Sequence, residues 1–154
     1  VLQADMAKEE IGKLGLASTV VTVSNSSEVQ QAMQSLVGKF DAIYIPTDNT
    51  LASAMATVHS VAGESKTPIF TGESNMVMEG GLATMGINYY DLVYQTGLMA
   101  IEMMNGKNPA DMPMQYEASS DAITINAQVA EEIGYEIPEK YKQYAVDPRE
   151  AQNE

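Results

Sequence analysis

The stretch Asp41-Ala-Ile-Tyr-Ile-Pro-Thr-Asp-Asn-Thr50 decides the fold of this chain. Ala42 to Ile45 is a short apolar run of the kind that forms a buried strand. Pro46 ends it, because proline brings no N–H to a ladder. Thr47 or Asp48 then caps a helix with Leu51, Met55, Val58 and Ala62 on its inner face and Gly63 at its end. The same grammar recurs downstream. Pro68 to Thr71 reads as a strand, followed by a loop from Gly72 to Gly81 with Glu73, Ser74 and Asn75 in it. Leu82 to Ile87 is a further strand, followed by Asn88 and Tyr89. Apolar runs that each stop at a polar cluster, with helices between them, predict an alternating α/β chain. In such chains the clusters line the carboxyl edge of a mainly parallel sheet, where these sheets bind ligands.

The flanks extend the alternation. Residues 2–14 carry Ala4, Ala7, Ile11 and Leu14 at helical spacing, with Gly15 as a stop. Ala17 to Val23 is rich in valine and threonine and reads as a strand. Asn25 and Glu28 form a capping-box variant ahead of a helix whose stripe is Val29, Met33 and Leu36. Tyr90 to Asn105 is the longest helix, with an apolar stripe wide enough to predict burial on one side. Met114 to Glu117 could form a short strand. Ala122 to Ile125 is a strand, Asn126 caps a short helix running to Gly134, the tail from Pro138 is charged with little periodicity, and its last residues are expected to fray. The expected fold class is therefore α/β, a three-layer αβα sandwich with a mainly parallel sheet and helices on both faces.

Composition narrows the function classes. The chain has 154 residues, a length suited to one α/β domain. It holds no cysteine, which removes thiol catalysis, disulfides and thiolate metal sites. The net charge of −13 disfavours nucleic acid as a partner, since such a surface repels phosphate backbones. No run is long and apolar enough to span a membrane. Val1 is not an initiator methionine, and no signal peptide precedes it, so the chain is expected to be a piece of a longer protein.

Standard catalytic constellations are missing. There is no glycine-rich phosphate loop, and the single histidine, His59, has no acidic or hydroxyl partner at obvious spacing. It reads as a surface or structural residue. No enzyme activity, metal or cofactor is expected. Asn25-Ser26-Ser27 is formally a glycosylation sequon, but a helix cap accounts for it. The eleven methionines read as core filler rather than a metal box. What remains are the strand-end clusters, from which Thr47, Asp48, Asn49, Thr71, Glu73 and Asn88 are the candidate ligand-binding residues. Two acids on one edge suit an ammonium group better than a phosphate. Capping alone could account for Asp48. Glu73 is harder to explain that way, because no helix clearly begins there in the sequence.

Four segments carry a resemblance: Asp41 to Asn49, Pro68-Ile-Phe-Thr-Gly-Glu73, Gly80-Gly-Leu-Ala-Thr-Met-Gly-Ile-Asn-Tyr-Tyr90, and Gln95-Thr-Gly-Leu-Met-Ala100. They resemble the ABC transporter substrate-binding proteins of the tryptophan/tyrosine-binding type, and Val20 to Ser35 fits the same pattern. The resemblance implies a type I periplasmic-binding-protein fold, whose two lobes close on a ligand by a hinge motion. This chain would be the C-terminal half. Residues 1–87 and 122–137 would form the C-terminal ligand-binding lobe, 88–121 a crossover segment belonging to the N-terminal lobe, and 138–154 a tail. Asn88 would sit at a hinge, and residues 119–121 at a second one. Carried over by position, Glu73 would take a ligand ammonium group, and Asp48 and Asn49 would belong to another pocket loop.

The implied function is capture of an aromatic or other apolar L-amino acid for an ABC importer, without catalysis. The implied partners are that ligand, an ABC permease and the missing N-terminal lobe. The implied location is extracytoplasmic, either in a periplasm or on a lipoprotein anchor. Two rivals share the fold class: a ligand-sensing domain of a transcription regulator, and an α/β enzyme whose missing half carries the chemistry.

Overall fold

The structure is a computed structural model that describes residues 2–86, 89–114 and 123–151. A five-stranded sheet lies at its centre, in the order β1 (Ile43–Ile45), β2 (Ile69–Thr71), β3 (Ala83–Met85), β4 (Ile123–Asn126) and β5 (Ala145–Val146). Three of the four pairings are parallel, and β3 with β4 is antiparallel. The mainly parallel α/β architecture read from the sequence is the one observed.

Strand periodicity explains where the core sits. Ile43, Ile45 and Ile69 alternate with Tyr44 and Phe70 and so lie on the opposite face of the sheet. The isoleucine face packs on α2 (Val29–Leu36), α4 (Met55–Ser65) and α5 (Ser74–Met78), through Val29, Met33, Met55, Val58, Ala62 and Met76. The other face is only partly covered, with Tyr44 42% and Phe70 38% exposed. A smaller cluster of Leu82, Val129 and Ala130 seats α7 (Ala127–Ile133) beside β3 and β4.

Local signals set most of the helix boundaries. Asn25 Oδ1 accepts from the Glu28 N–H, and the Asn25 amide donates to Glu28 Oε1 at 2.8 Å, which forms the expected capping box ahead of α2. Asn126 joins two elements. Its amide donates to the Val77 carbonyl at 2.8 Å, and its Oδ1 accepts from the Val129 N–H at 3.0 Å. Asn126 is also buried, so neither backbone group can turn to water instead. Asn126→Ala should therefore cost about 1–3 kcal/mol, the scale of buried polar groups left unpaired. Urea unfolding measures this, and an unchanged midpoint with an unchanged slope would refute it.

Several expectations are corrected. The helix expected from Asp48 to Gly63 is divided into α3 (Asn49–Ala52) and α4, and α4 runs through Gly63. It ends at Lys66, which takes the left-handed conformation at φ 56°. The expected loop from Gly72 to Gly81 contains α5, whose five residues are too few to show a period in the sequence. Residues 17–23 form no strand. Their valines favour extended backbone, but a strand also needs a ladder partner, and here only Val23 packs on the core.

The segment after Pro138, which reads as a tail of little periodicity, carries regular elements as far as Ala151. A 3-10 helix (Glu139–Tyr144) leads into β5, which pairs with β4, and Arg149 holds Asp147 and reaches Glu131 at 3.7 Å. The helix expected at Tyr90 to Asn105 is α6 (Tyr89–Met104), but none of its residues is buried. Val93 is 68% and Met104 86% exposed, so its wide apolar stripe is unpartnered among the described residues. The possible strand at Met114 to Glu117 and both expected hinge positions, Asn88 and 119–121, fall wholly or mainly outside the described residues.

Candidate functional site

The loops that leave β1, β2 and β3 come together at the carboxyl ends of those strands. Their spacing is set by backbone lying directly on backbone. A Cβ on Gly72 would stand 2.6 Å from the Thr47 N, and one on Gly86 would stand 2.5 Å from the Gly72 carbonyl oxygen. Any larger residue at either position would force the loops apart. An open cleft of about 410 Å³ lies over this junction. That is within the usual size range of small-molecule sites.

Four of the expected residues line the cleft together: Thr47, Asp48, Asn49 and Glu73. Thr71 is not among them. It lies buried beneath, where its hydroxyl donates to the Glu73 carbonyl at 3.0 Å and its own carbonyl accepts from the Thr84 hydroxyl at 2.7 Å. Its part is to hold the β2 loop in place. Asn88 lies outside the described residues.

Each acid has a structural task as well. Asp48 caps α3, with Oδ1 accepting from the Thr50 and Leu51 N–H groups at 2.8 and 3.1 Å. Glu73 caps α5, with Oε1 accepting from the Met76 N–H at 2.8 Å and Oε2 from the Asn75 N–H at 2.9 Å. The expectation that capping would not explain Glu73 is thus corrected: a helix does begin there. Glu73 is 5% exposed, so its carboxylate oxygens meet those N–H donors rather than bulk water.

The cleft also includes Ser53, Asn75, Met76, Glu79 and Tyr89. Asn75 and Tyr89 stood in the strand-end clusters but were not chosen. Glu79 was missed because it closes α5, a helix that the sequence does not reveal. With Asp48 and Glu73 it brings the carboxylates to three, and no lysine, arginine or histidine lines the cleft. The Thr47 N–H donates to Gln3 Oε1 of α1 (Leu2–Lys13) at 3.0 Å, which ties that helix to the rim. The Thr47 hydroxyl is buried without a hydrogen-bond partner among the described residues.

Such a lining can accept ammonium and hydroxyl donors. It offers no paired nucleophile and base. His59 lies elsewhere, with its Nε2 2.9 Å from Glu132 Oε2 on α7. The Glu132 carboxyl is held below the usual carboxylate range by the Gln128 amide and then by His59. His59 therefore has an acidic partner after all, 73 residues away in sequence. Among the described residues no cluster of potential metal ligands occurs, and no helix is long and apolar enough to cross a membrane.

The comparisons with known proteins agree with this geometry. The model of the ABC transporter substrate binding protein family matches residues 1–148. The chain belongs to that family. It is 49% identical over 92 residues to the tyrosine-binding protein of Clostridioides difficile (strain R20291), covering 60% of this chain and 27% of that one. Among solved structures, it superposes on a ligand-free, open substrate-binding protein with adhesive properties from Clostridium difficile, with a TM-score of 0.74 and 40% identity. That match covers 95% of this chain and 49% of the other. An ABC domain in complex with L-Trp from Streptococcus pneumonia matches with a TM-score of 0.81 and 33% identity, covering 94% of this chain and 50% of that one. The chain thus spans about half the length of the solved relatives it matches.

Proposed function

We propose that this chain supplies one lobe of a two-lobed solute receptor for an ABC importer, and that the receptor closes on an aromatic or other apolar L-amino acid without chemical change. The observation that carries the reading is the cleft at the ends of β1 and β2, lined by Asp48, Glu73 and Glu79 with no basic residue. A zwitterionic amino acid needs an acid for its ammonium group and N–H or hydroxyl donors for its carboxylate. This lobe offers the first, together with hydroxyl and amide donors, and a cationic partner for the carboxylate would come from the other lobe. The relatives described as binding tyrosine and L-Trp support the same ligand class.

In this reading residues 1–87 and 122–137 make the ligand-binding lobe, with β5 added at the edge of its sheet, and the unburied α6 docks on the N-terminal lobe. Asn88 lies at the crossing. The partners are a permease and the N-terminal lobe, and the setting is extracytoplasmic, on a lipid anchor or free in a periplasm. The family match favours an importer component over a transcription regulator of the same fold.

Calorimetric titration of L-tryptophan, L-tyrosine, L-phenylalanine and L-leucine into the full-length parent tests this. We expect saturable one-to-one binding of at least one of them. Asp48→Ala should weaken it by about 1.5–3 kcal/mol, the scale of a hydrogen bond to a charged group. Heat from none of the four, on a folded protein, would move the ligand to another class. Wild-type affinity in Asp48→Ala would remove Asp48 from the site.

A further inference from the structure

We propose that Tyr89 is the residue that selects for an aromatic ligand side chain, by offering its ring face as a wall of the cleft. The inference rests on the amino-acid reading above and adds to it the residue that reads the side chain. Tyr89 is the first residue of α6, and Gly86 precedes it by three positions at the junction of the strand-end loops. Tyr89 lines the cleft and is 42% exposed.

The other lining groups cannot perform this task. Most are acids, amides or hydroxyls. Of the apolar ones, Met76 is 1% exposed and belongs to the core, and Ala52 offers a single methyl. Among the described residues, Tyr89 is the one large apolar side chain lining the cleft that is not buried.

Its neighbour differs in having a ring partner. Tyr90 stacks on Tyr94, with ring centroids 6.5 Å apart and planes 9° from parallel. Tyr89 has no ring partner among the described residues, so its face is free to take one. An aromatic ring against another in offset or edge geometry gains beyond what its buried area alone provides, whereas an aliphatic side chain gains only the area term. The acids then hold the ammonium end of the ligand, and Tyr89 reads the other end.

The test uses the full-length parent, titrated with L-tryptophan, L-phenylalanine and L-leucine. Tyr89→Leu should weaken the two aromatic ligands by about three- to tenfold and leave L-leucine within about twofold. Tyr89→Phe keeps the ring face and should keep the selectivity of the wild type. Thermal melts of each variant show that it is folded, and Tyr89→Met provides a second large non-aromatic side chain should the leucine variant fail to fold. Equal loss for all three ligands would mean that Tyr89 only positions α6, and the proposal would fall. Unchanged selectivity in Tyr89→Leu would also overturn it, as would loss of selectivity in Tyr89→Phe. If the wild type binds neither these three nor L-tyrosine, the amino-acid reading falls, and the Tyr89 assignment falls with it. Wild-type binding with any of the preceding outcomes sinks the Tyr89 assignment alone.

Discussion

Glu73→Ala should lower the unfolding free energy by about 2–4 kcal/mol and, in the full-length protein, weaken ligand binding by a further ten- to hundredfold. The first effect follows from the cap. Both carboxylate oxygens accept backbone N–H groups, from Met76 at 2.8 Å and Asn75 at 2.9 Å. Met76 is 1% exposed, so its N–H would lose its partner in a place that water reaches poorly. The second effect follows from the cleft, which Glu73 lines.

The two roles can be separated. Preferred caps are short, namely serine, threonine, aspartate and asparagine. A glutamate at this position is longer than the cap requires, and reach into the cleft is a reason for the extra methylene. Glu73→Ser keeps a capping oxygen and removes the charge. It should retain most of the stability, within about 1 kcal/mol of wild type, and still lose the ligand affinity. Denaturant unfolding and calorimetry on the same samples read the two effects. A serine variant that binds like wild type would leave Glu73 as a cap and nothing more.

The sequence shows what depends on periodicity and on short-range hydrogen bonds. Val29 and Met33 on α2, and Met55, Val58 and Ala62 on α4, lie buried where their spacing put them. Asn126 caps α7 as expected, whereas Asp48 caps only the short α3 and Asn25 caps the 3-10 turn (Ser26–Glu28) that leads into α2. Four strand-end residues from loops far apart in sequence meet in one cleft, because parallel strands present all their carboxyl ends on one edge.

What was not legible depends on long-range pairing or on elements too short for a pattern. Helix α5 has five residues, so Glu73 was not recognised as a cap and Glu79 was not noticed. Strand β5 has two residues, and its pairing with β4 comes from the fold rather than from any apolar run. The antiparallel entry of β4 reflects where the chain returns after residues 115–122, which alternation cannot show. His59 and Glu132 meet from different helices, and no local spacing encodes that contact. Conversely, Val20 and Val21 had the composition of a strand, yet they stand 54% and 45% exposed without a ladder.

In the two-lobe reading, residues 1–154 alone should bind the parent protein's ligand at least about 100-fold more weakly than the parent does, because ligands of this size are normally enclosed on most of their surface. The cleft here is open. Its lining holds carboxylates and no base, so a ligand carboxylate would be left without a cationic partner and beside like charge. The same half-structure leaves α6 with no buried residue, and Tyr90, Val93 and Met104 are 77%, 68% and 86% exposed. A continuous apolar surface of that kind is unusual on a monomer and promotes association. The isolated chain should therefore show both defects together: weak or undetectable heats in calorimetry, and concentration-dependent mass in sedimentation. Adding the N-terminal half as a separate chain should correct both, since it would cover α6 and complete the cleft. The net charge of −13 opposes self-association at low salt, so the mass increase should be greater at high salt, where that repulsion is screened. A monomeric chain with the parent's affinity would show that this lobe suffices and that the second wall of the cleft contributes little.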